Sequence, residues 1–551
     1  MQILDYITII FFTLCVIGSG LLFSSSGKTM KSFFAAGGNV PWWMSGLSLF
    51  MGFFSAGTFV VWGSIAYTSG WVAVMIQWTM CIAGLLVGCL IAPRWRATGA
   101  LTAAEYITER FGVNVQKTYT ILFLFVSLFT TGSFLYPVGK ILEVSTGLPI
   151  YTCIILLGCI SILYVATGGL RAVVVTDVLQ FLILFSAIII LIPMAFEKIG
   201  GIDHFIENAP ENFFNLVNGE YTWGFMIAYG IYNAVFIGGN WAYVQRYTSV
   251  RDGKDARKVG WLFSFLYTFS PVLWMFPAML YRYINPELSG LSDEGAYLLM
   301  CKQTLPAGLL GLMLGGMVFA TASSMNATLN ISAGVFTNDI VHRVFPQIKE
   351  NRLIRIAKIS TVVFGLLAIL VALMIPKMGG VVNVVITIGA LTGVPLYLPV
   401  IWSLFSKRIT GRTILAVTLT GLAVNLFFKF AAPALFGFAF NRTVEMVVGV
   451  GFPVLLLVLS EVFAALKGGS RSVDVPADES ESARTEVDPL EESDDENRYS
   501  RRVIGIGIVI TGVTIAVLGL INSEGRLPVL SVAAVQIIMG SVIFRRNRRI
   551  N

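Results

Sequence analysis

The sequence predicts an all-α, polytopic membrane protein, and three observations carry that reading. Of its 551 residues, 56% are hydrophobic and only 13% charged, with a mean hydropathy of +0.79; a soluble chain carries about a quarter charged residues. The apolar residues fall into runs of about 20, the helix length that crosses a bilayer core roughly 30 Å thick. The basic patches QRYTSVRDGKDARK, HRVFPQIKENRLIRIAK and RRNRRI all fall on one side once those runs are threaded alternately through a membrane. Positive charge collects on the cytoplasmic side, which puts the N-terminus outside and the C-terminus in the cytoplasm. The net charge of +7 then reflects topology and not nucleic-acid binding.

In order, the runs give fifteen expected spans, near 4–22, 41–67, 72–92, 117–139, 150–166, 171–194, 222–247, 259–284, 306–340, 354–375, 378–404, 411–436, 442–466, 502–521 and 528–544. The first, Ile3–Phe23, is too long for a signal-peptide core and lacks a basic leader, so it reads as a retained span. Between spans, Glu197–Tyr221 and Ile284–Ala307 are long acidic loops suited to short helices over an outer mouth. Residues 468–501, with the run ADESESARTEVDPLEESDDENRYS, read as a disordered cytoplasmic linker.

The chain divides accordingly. Residues 1–40 hold an accessory span and loop, 41–195 a first repeat, 196–221 an outer loop, 222–405 a second repeat, 406–467 accessory spans, 468–501 the linker, and 502–551 two further spans with a basic tail. The six cysteines show no ligand-like company, and His204 and His342 lie far apart, against a zinc or haem centre. No phosphate-binding loop is present, against an ATP-driven pump.

The two repeats rest on two interrupted helices. PWWMSGLSLFMGFFSAGTFVVWGSIAY sets Gly52, Ser55, Ala56 and Gly57 at mid-membrane, and YGIYNAVFIGGNWAYVQRYTS sets Gly238, Gly239 and Asn240 at a similar depth five spans later. Glycine also serves close helix packing, but breaks at matching positions in two units point to a binding site at the repeat interface. Five is odd, so the second unit runs inverted.

Two further stretches carry chemistry. In ATGGLRAVVVTDVLQ (166–180) one carboxylate, Asp177, lies about two turns into an apolar helix, where an acid is costly and serves an ion or proton path. The plainer reading is that it snorkels to the surface or pairs with Arg171. In MVFATASSMNATLNISAGVFTNDI (317–340), Ala320, Ser323, Ser324, Ala327, Thr328 and Ser332 recur at intervals of three and four, one small, hydroxyl-rich stripe. Sodium is a hard cation matched by hydroxyl and freed carbonyl oxygens.

The Gly-Gly-Leu start, Thr-Asp pair and closing Leu-Gln of 168–180, the PWW lead-in, both broken helices, the Val-Gln-Arg exit and the closing Phe-Thr-x-Asp resemble the sodium:solute symporter family over about residues 25–410. That resemblance implies a five-plus-five inverted-repeat fold with accessory helices, and sodium as the coupling ion with no organic cofactor. It implies a sodium site from the carbonyls of Met51, Phe54 and Ala320 with the hydroxyls of Ser323 and Ser324, and places Asp177 on the ion's inward exit. It also implies substrate contacts from Ser55, Thr58, Gln77, Asn233, Tyr267, Asn383 and Thr387, with Phe236 closing the inner side.

These neutral hydroxyls, amides and rings suit a sugar or polyol, and no arginine falls among them to grip a carboxylate. The set departs from sodium/galactose transporters: Gln77 replaces an acid, Tyr267 a lysine, and Phe53 lacks a polar side chain. The expected function is sodium-coupled import of a small solute, most readily a sugar or sugar derivative, across the plasma (inner) membrane. The expected partners are the solute, sodium and the lipid bilayer, with no nucleic acid and no obligate protein. The alternatives are a sodium-coupled carrier of an amino acid or a carboxylate such as sialic acid, or a non-transporting nutrient sensor or channel. A membrane-embedded enzyme would need a cluster of acids, histidines or nucleophiles inside the bilayer.

Overall fold

Backbone N–H and C=O groups find no partner in lipid, so apolar segments of this chain satisfy their own by forming helices. In the computed structural model, which describes residues 1–22, 38–100, 102–164, 170–345, 347–466 and 490–546, helices dominate, and one isolated parallel bridge joins Val40 to Val250. The helices needed below are α1 (Ile3–Leu22), α2 (Trp42–Met51), α3 (Gly63–Ser69), α4 (Trp71–Leu86), α5 (Val113–Thr146), α6 (Leu170–Lys198), α7 (Trp223–Gly239), α8 (Trp241–Thr248), α9 (Gly253–Ile284), α10 (Leu309–Val335), α11 (Glu350–Met374), α12 (Gly380–Ile388), α13 (Gly411–Leu426), α14 (Arg442–Leu466), α15 (Leu490–Ile521) and α16 (Arg526–Arg546).

The count of fifteen spans is not confirmed among the described residues. Among the described residues, ten helices are long and apolar enough to cross a membrane alone, while Ile3–Val16, Ile150–Cys159 and Leu309–Ala322 are shorter apolar stretches. The second and seventh expected spans are each split in two. The first is α2, then an irregular turn and a π-helical turn Thr58–Trp62, then α3. The second is α7 and α8, parted at Asn240, whose backbone is extended (φ −65°, ψ 129°) and whose side chain accepts from Ala242 N at 3.0 Å to restart the helix.

The two breaks lie against each other. Phe53 packs on Tyr243 with ring centroids 4.4 Å apart, and a Cβ on Gly52 would stand 2.9 Å from the Tyr243 ring. A larger residue at position 52 would have to displace the Tyr243 ring. The two outer loops form short helices, Ile202–Glu207 in one and Gly290–Gly295 with Ala296–Thr304 in the other.

α1 and the α15–α16 pair pack outside this core. Asp5, 1% exposed, caps the start of α10 from α1, its Oδ1 accepting from Gly308 N at 2.7 Å and Gly311 N at 3.0 Å. That satisfies amides an apolar helix start would leave bare. The linker expected through residue 501 is helical from Leu490. In that helix Asn497 Nδ2 donates to Asn39 O at 3.1 Å. Residues 165–169, with the glycines of the Thr-Asp signature, and most of the linker lie outside the described residues.

Candidate functional site

Two cavities flank the paired breaks. The larger holds about 920 Å³ of atom-free space, its mouth included. Six sequence-predicted substrate residues line it: Ser55 and Thr58 from the first break, Gln77 from α4, Asn233 and Phe236 from α7, and Tyr267 from α9. No charged side chain is among its described lining. Gln77 is 2% exposed, and among the described residues no protein group hydrogen-bonds its amide. Asn233 Nδ2 donates to Thr79 Oγ1 at 2.8 Å, which leaves its carbonyl oxygen to the cavity. Tyr229 and Tyr232 also line the wall. Sequence reasoning passed them over, although 229, 232, 233 and 236 follow the three-and-four spacing of one helix face.

Asn383 and Thr387 are not in this lining. Asn383 Nδ2 donates to Met378 O at 2.9 Å, and Thr387 Oγ1 accepts from Lys429 Nζ at 3.2 Å. The cause is helical phase. Val385, Ile388, Gly389 and Thr392 face the cavity, and at about 100° per residue both Asn383 and Thr387 stand some 200° from Val385.

The second cavity, of about 660 Å³, shares Gly52, Val126, Thr130, Phe134 and Tyr243 with the first and extends past Met51, Ser324 and Thr328 to Asp177 and Arg246. Rings separate the two: Phe53 meets Phe236 at 6.1 Å, and Phe236 meets Tyr397 at 5.8 Å. Asp177 neither snorkels nor stands alone. Its Oδ2 accepts from Ser48 Oγ at 2.5 Å and lies 3.9 Å from Arg246 Nη2, with side chains 3% and 6% exposed. Arg246 Nε donates to Ser48 Oγ at 3.1 Å. Arg246, from the second broken helix, is thus one partner of Asp177; the side chain of Arg171 lies outside the described residues. A buried acid and base hold their charge in an apolar surround because each compensates the other. The larger cavity's described lining has no arginine, but this neighbour does.

Of the residues expected for sodium, the structure brings Met51 and Ser324 into one cavity lining, that of the second cavity, while Phe54 and Ala320 are fully buried. In an unbroken helix the amide of Ser55 would reach Met51 O, and that of Thr58 would reach Phe54 O. Instead Ser55 N donates to Thr58 Oγ1 at 3.1 Å, and Thr58 N to Ser55 O at 2.9 Å. Both carbonyls are thereby released from the helical pattern. Ser324 Oγ donates to Ala320 O at 3.3 Å; the side chain of Ser323 lies outside the described residues. Thr321, fully buried, accepts from Ala56 N at 2.7 Å and donates to Met317 O at 2.8 Å. It was missed, although Thr321, Ser324, Thr328 and Ser332 also run at intervals of three and four. Among the described residues no group of three or more His, Cys, Asp or Glu could hold a metal.

A family model described as the sodium:solute symporter family matches residues 33–421. A Vibrio parahaemolyticus sodium/glucose cotransporter is 28% identical over 474 residues, 78% of this chain and 86% of the relative. Sodium/myo-inositol cotransporter 2 of Mus musculus is 26% identical over 470 residues, 77% of this chain and 70% of the relative. Among solved structures, a Na+-coupled sialic acid symporter in a substrate-bound, outward-open state aligns at a TM-score of 0.72 with 23% identity, over 86% of this chain and all of that one. Mhp1, a nucleobase-cation-symport-1 family transporter, aligns at 0.52 with 16% identity, over 80% of this chain and 96% of that one. These last two likenesses concern the fold alone.

Proposed function

The chain belongs to the sodium:solute symporter family, and from that premise we propose that its cargo is a small neutral polyhydroxylated ring, a sugar or polyol. It is a multi-pass, sodium-coupled symporter, and its relatives are transporters, not enzymes. The observation that carries the cargo reading is the larger cavity. It offers a buried amide, Gln77, without a protein partner among the described residues, tyrosine hydroxyls at Tyr229, Tyr232 and Tyr267, and aromatic faces at Phe53 and Phe236, with no charge among its described lining. Hydroxyls can both give and take hydrogen bonds with such groups, and ring C–H faces pack on aromatics. The kinship with cotransporters of glucose and myo-inositol adds support.

For the ion, the reading is coordination by the carbonyls of Met51, Phe54 and Ala320 and the hydroxyls of Ser323 and Ser324. The released carbonyls support it. Sodium bound there bridges the first break to α10 and preorganises the cavity beside it. The ion then leaves through the second cavity past Asp177, as the paired broken helices rock against the surrounding helices. The protein sits in the plasma (inner) membrane with its N-terminus outside and its C-terminus in the cytoplasm. One sodium crossing 100 mV releases about 2.3 kcal/mol; with the concentration gradient added, roughly hundredfold solute accumulation follows, since about 1.4 kcal/mol is tenfold.

The test is a binding screen on purified protein, by thermal stabilisation, across neutral sugars, inositols, amino acids and carboxylates, in sodium and in potassium. Sodium-dependent stabilisation by a neutral sugar or polyol is the expected result. Stabilisation by an amino acid or carboxylate alone overturns the cargo and leaves the symporter standing.

A further inference from the structure

A third cavity, of about 470 Å³, lies between α13, α14 and the π-helical turn Gly389–Gly393, apart from the other two. Its polar floor is Asn425, Lys429 and Glu445. Lys429 Nζ donates to Glu445 Oε2 at 2.8 Å and to Thr387 Oγ1 at 3.2 Å. Asn425, 4% exposed, donates through Nδ2 to Ala390 O at 3.2 Å and Leu391 O at 3.1 Å. Two acceptors in this cavity remain bare: Asn425 Oδ1 and Glu445 Oε1 are buried without a hydrogen-bond partner among the described residues. Buried polar atoms are nearly always satisfied, so the cavity calls for a ligand that brings N–H or O–H donors.

The rim is apolar. Phe428 and Phe440 line it, and beside it Phe430, Leu435 and Phe436 are each more than 60% exposed. They sit where two spans end, the level at which aromatic side chains meet lipid headgroups.

We propose that this cavity holds the headgroup of an ethanolamine phospholipid. The ammonium donates to Glu445 Oε1 and Asn425 Oδ1, the phosphate lies beside Lys429, and the acyl chains run along the exposed aromatics. Three properties select this headgroup. The floor already pairs one cation with one anion, so a zwitterion adds no net charge. An ammonium carries three N–H donors and can satisfy both bare acceptors at once. A choline headgroup has the same charge but no N–H donor. The site touches transport through Thr387, which Lys429 binds and which shares α12 with Val385 and Ile388 of the larger cavity. None of this rests on the identity of the cargo.

The experiment counts lipid retained on the purified full chain by native mass spectrometry, across phosphatidylethanolamine, its N-methyl and N,N-dimethyl forms, and phosphatidylcholine of identical acyl chains. Two acceptors need two N–H groups, so the first two are retained alike. The dimethyl form binds about tenfold more weakly, and phosphatidylcholine more weakly again. Asn425→Leu leaves Glu445 Oε1 as the one acceptor, so the dimethyl form is then retained like the first two and only phosphatidylcholine stays weaker. Equal retention of all four lipids overturns the proposal, as does an undiminished preference against the dimethyl form in Asn425→Leu protein that still takes up solute. Should that variant fail to fold, the methylation series on the unaltered protein decides the matter.

Discussion

Thr321 and Ala56, 265 residues apart in the chain, are joined by a hydrogen bond in which the Ala56 amide donates to Thr321 Oγ1 at 2.7 Å. Ala56 opens the second half of the first broken helix, where an amide has no partner within its own helix. Thr321 follows Ala320 directly and fixes its hydroxyl by donating to Met317 O. The bond therefore sets the spacing between the released carbonyls of the break and α10. Thr321→Val keeps the side chain's shape and removes the bond. It should raise the sodium concentration for half-maximal uptake about tenfold while solute affinity at saturating sodium stays near wild type, and Thr321→Ser should restore both. Equal losses in the two affinities would make Thr321 a packing residue only.

Replacing Ser323 and Ser324 together with alanine removes two of about five proposed sodium ligands and leaves helix propensity intact. Sodium-driven uptake should vanish while membrane insertion stays normal. Wild-type sodium dependence in that variant moves the ion site elsewhere. In the proposed site Thr321 positions and the serines coordinate, so a null result at Thr321 alone leaves the proposed ion site standing.

Asp177→Asn leaves Ser48 a partner but strips Arg246 of its counter-charge in a buried cavity, where an uncompensated charge is costly. Turnover should slow and apparent sodium affinity weaken, with solute selectivity unchanged, measured by uptake into proteoliposomes across a panel of solutes. A change of selectivity with an unaltered sodium response would assign Asp177 to the solute.

Gln77→Ala removes an amide that hydrogen-bonds no protein group among the described residues and lines the larger cavity, so its loss should register chiefly when solute is bound. Solute affinity should fall roughly 5- to 150-fold, corresponding to about 1–3 kcal/mol, with sodium binding nearly intact by titration calorimetry. Phe236→Ala opens the ring barrier between the cavities and should increase uncoupled leak more than it weakens binding. Unchanged leak beside a large affinity loss makes Phe236 a simple contact.

Glu294 ties two elements together on the loop before α10: Tyr136 OH donates to its Oε2 at 2.8 Å and Val381 N to its Oε1 at 2.8 Å. Gly380, at φ +87°, permits the approach, since a Cβ there would lie 2.5 Å from Oε1. The neighbouring Asp293 accepts from Ser64 Oγ at 2.6 Å. Burial raises both carboxyls above their ordinary 4.5 and 3.8, with the hydrogen bonds and Lys140 opposing in part. The folded chain then binds these protons more tightly than the unfolded one. Their contribution to stability is full below the ordinary values and lost as pH rises through the raised ones. Glu294→Gln should flatten that decline in melting temperature as pH rises above the ordinary carboxyl value of 4.5. An identical slope in the variant would assign the pH response to other groups.

What the sequence determined by itself is whatever repeats along one dimension. Apolar runs imposed helices, the glycines at Gly52 and Gly238–Gly239 marked both breaks, and hydroxyls at helical spacing marked one face of α10. Gln77, Asn233 and Tyr267 were legible as cavity residues through resemblance to aligned motifs. What only the tertiary structure decided depends on phase and on distant pairs. Asn383 and Thr387 turn away from the cavity because one residue of helical phase is about 100°, finer than any span boundary read from hydropathy. Asp177 meets Arg246, Thr321 meets Ala56, and Lys429 meets Thr387 because separate helices pack side by side. No local pattern encodes which faces will touch, so those partners waited on the packing itself.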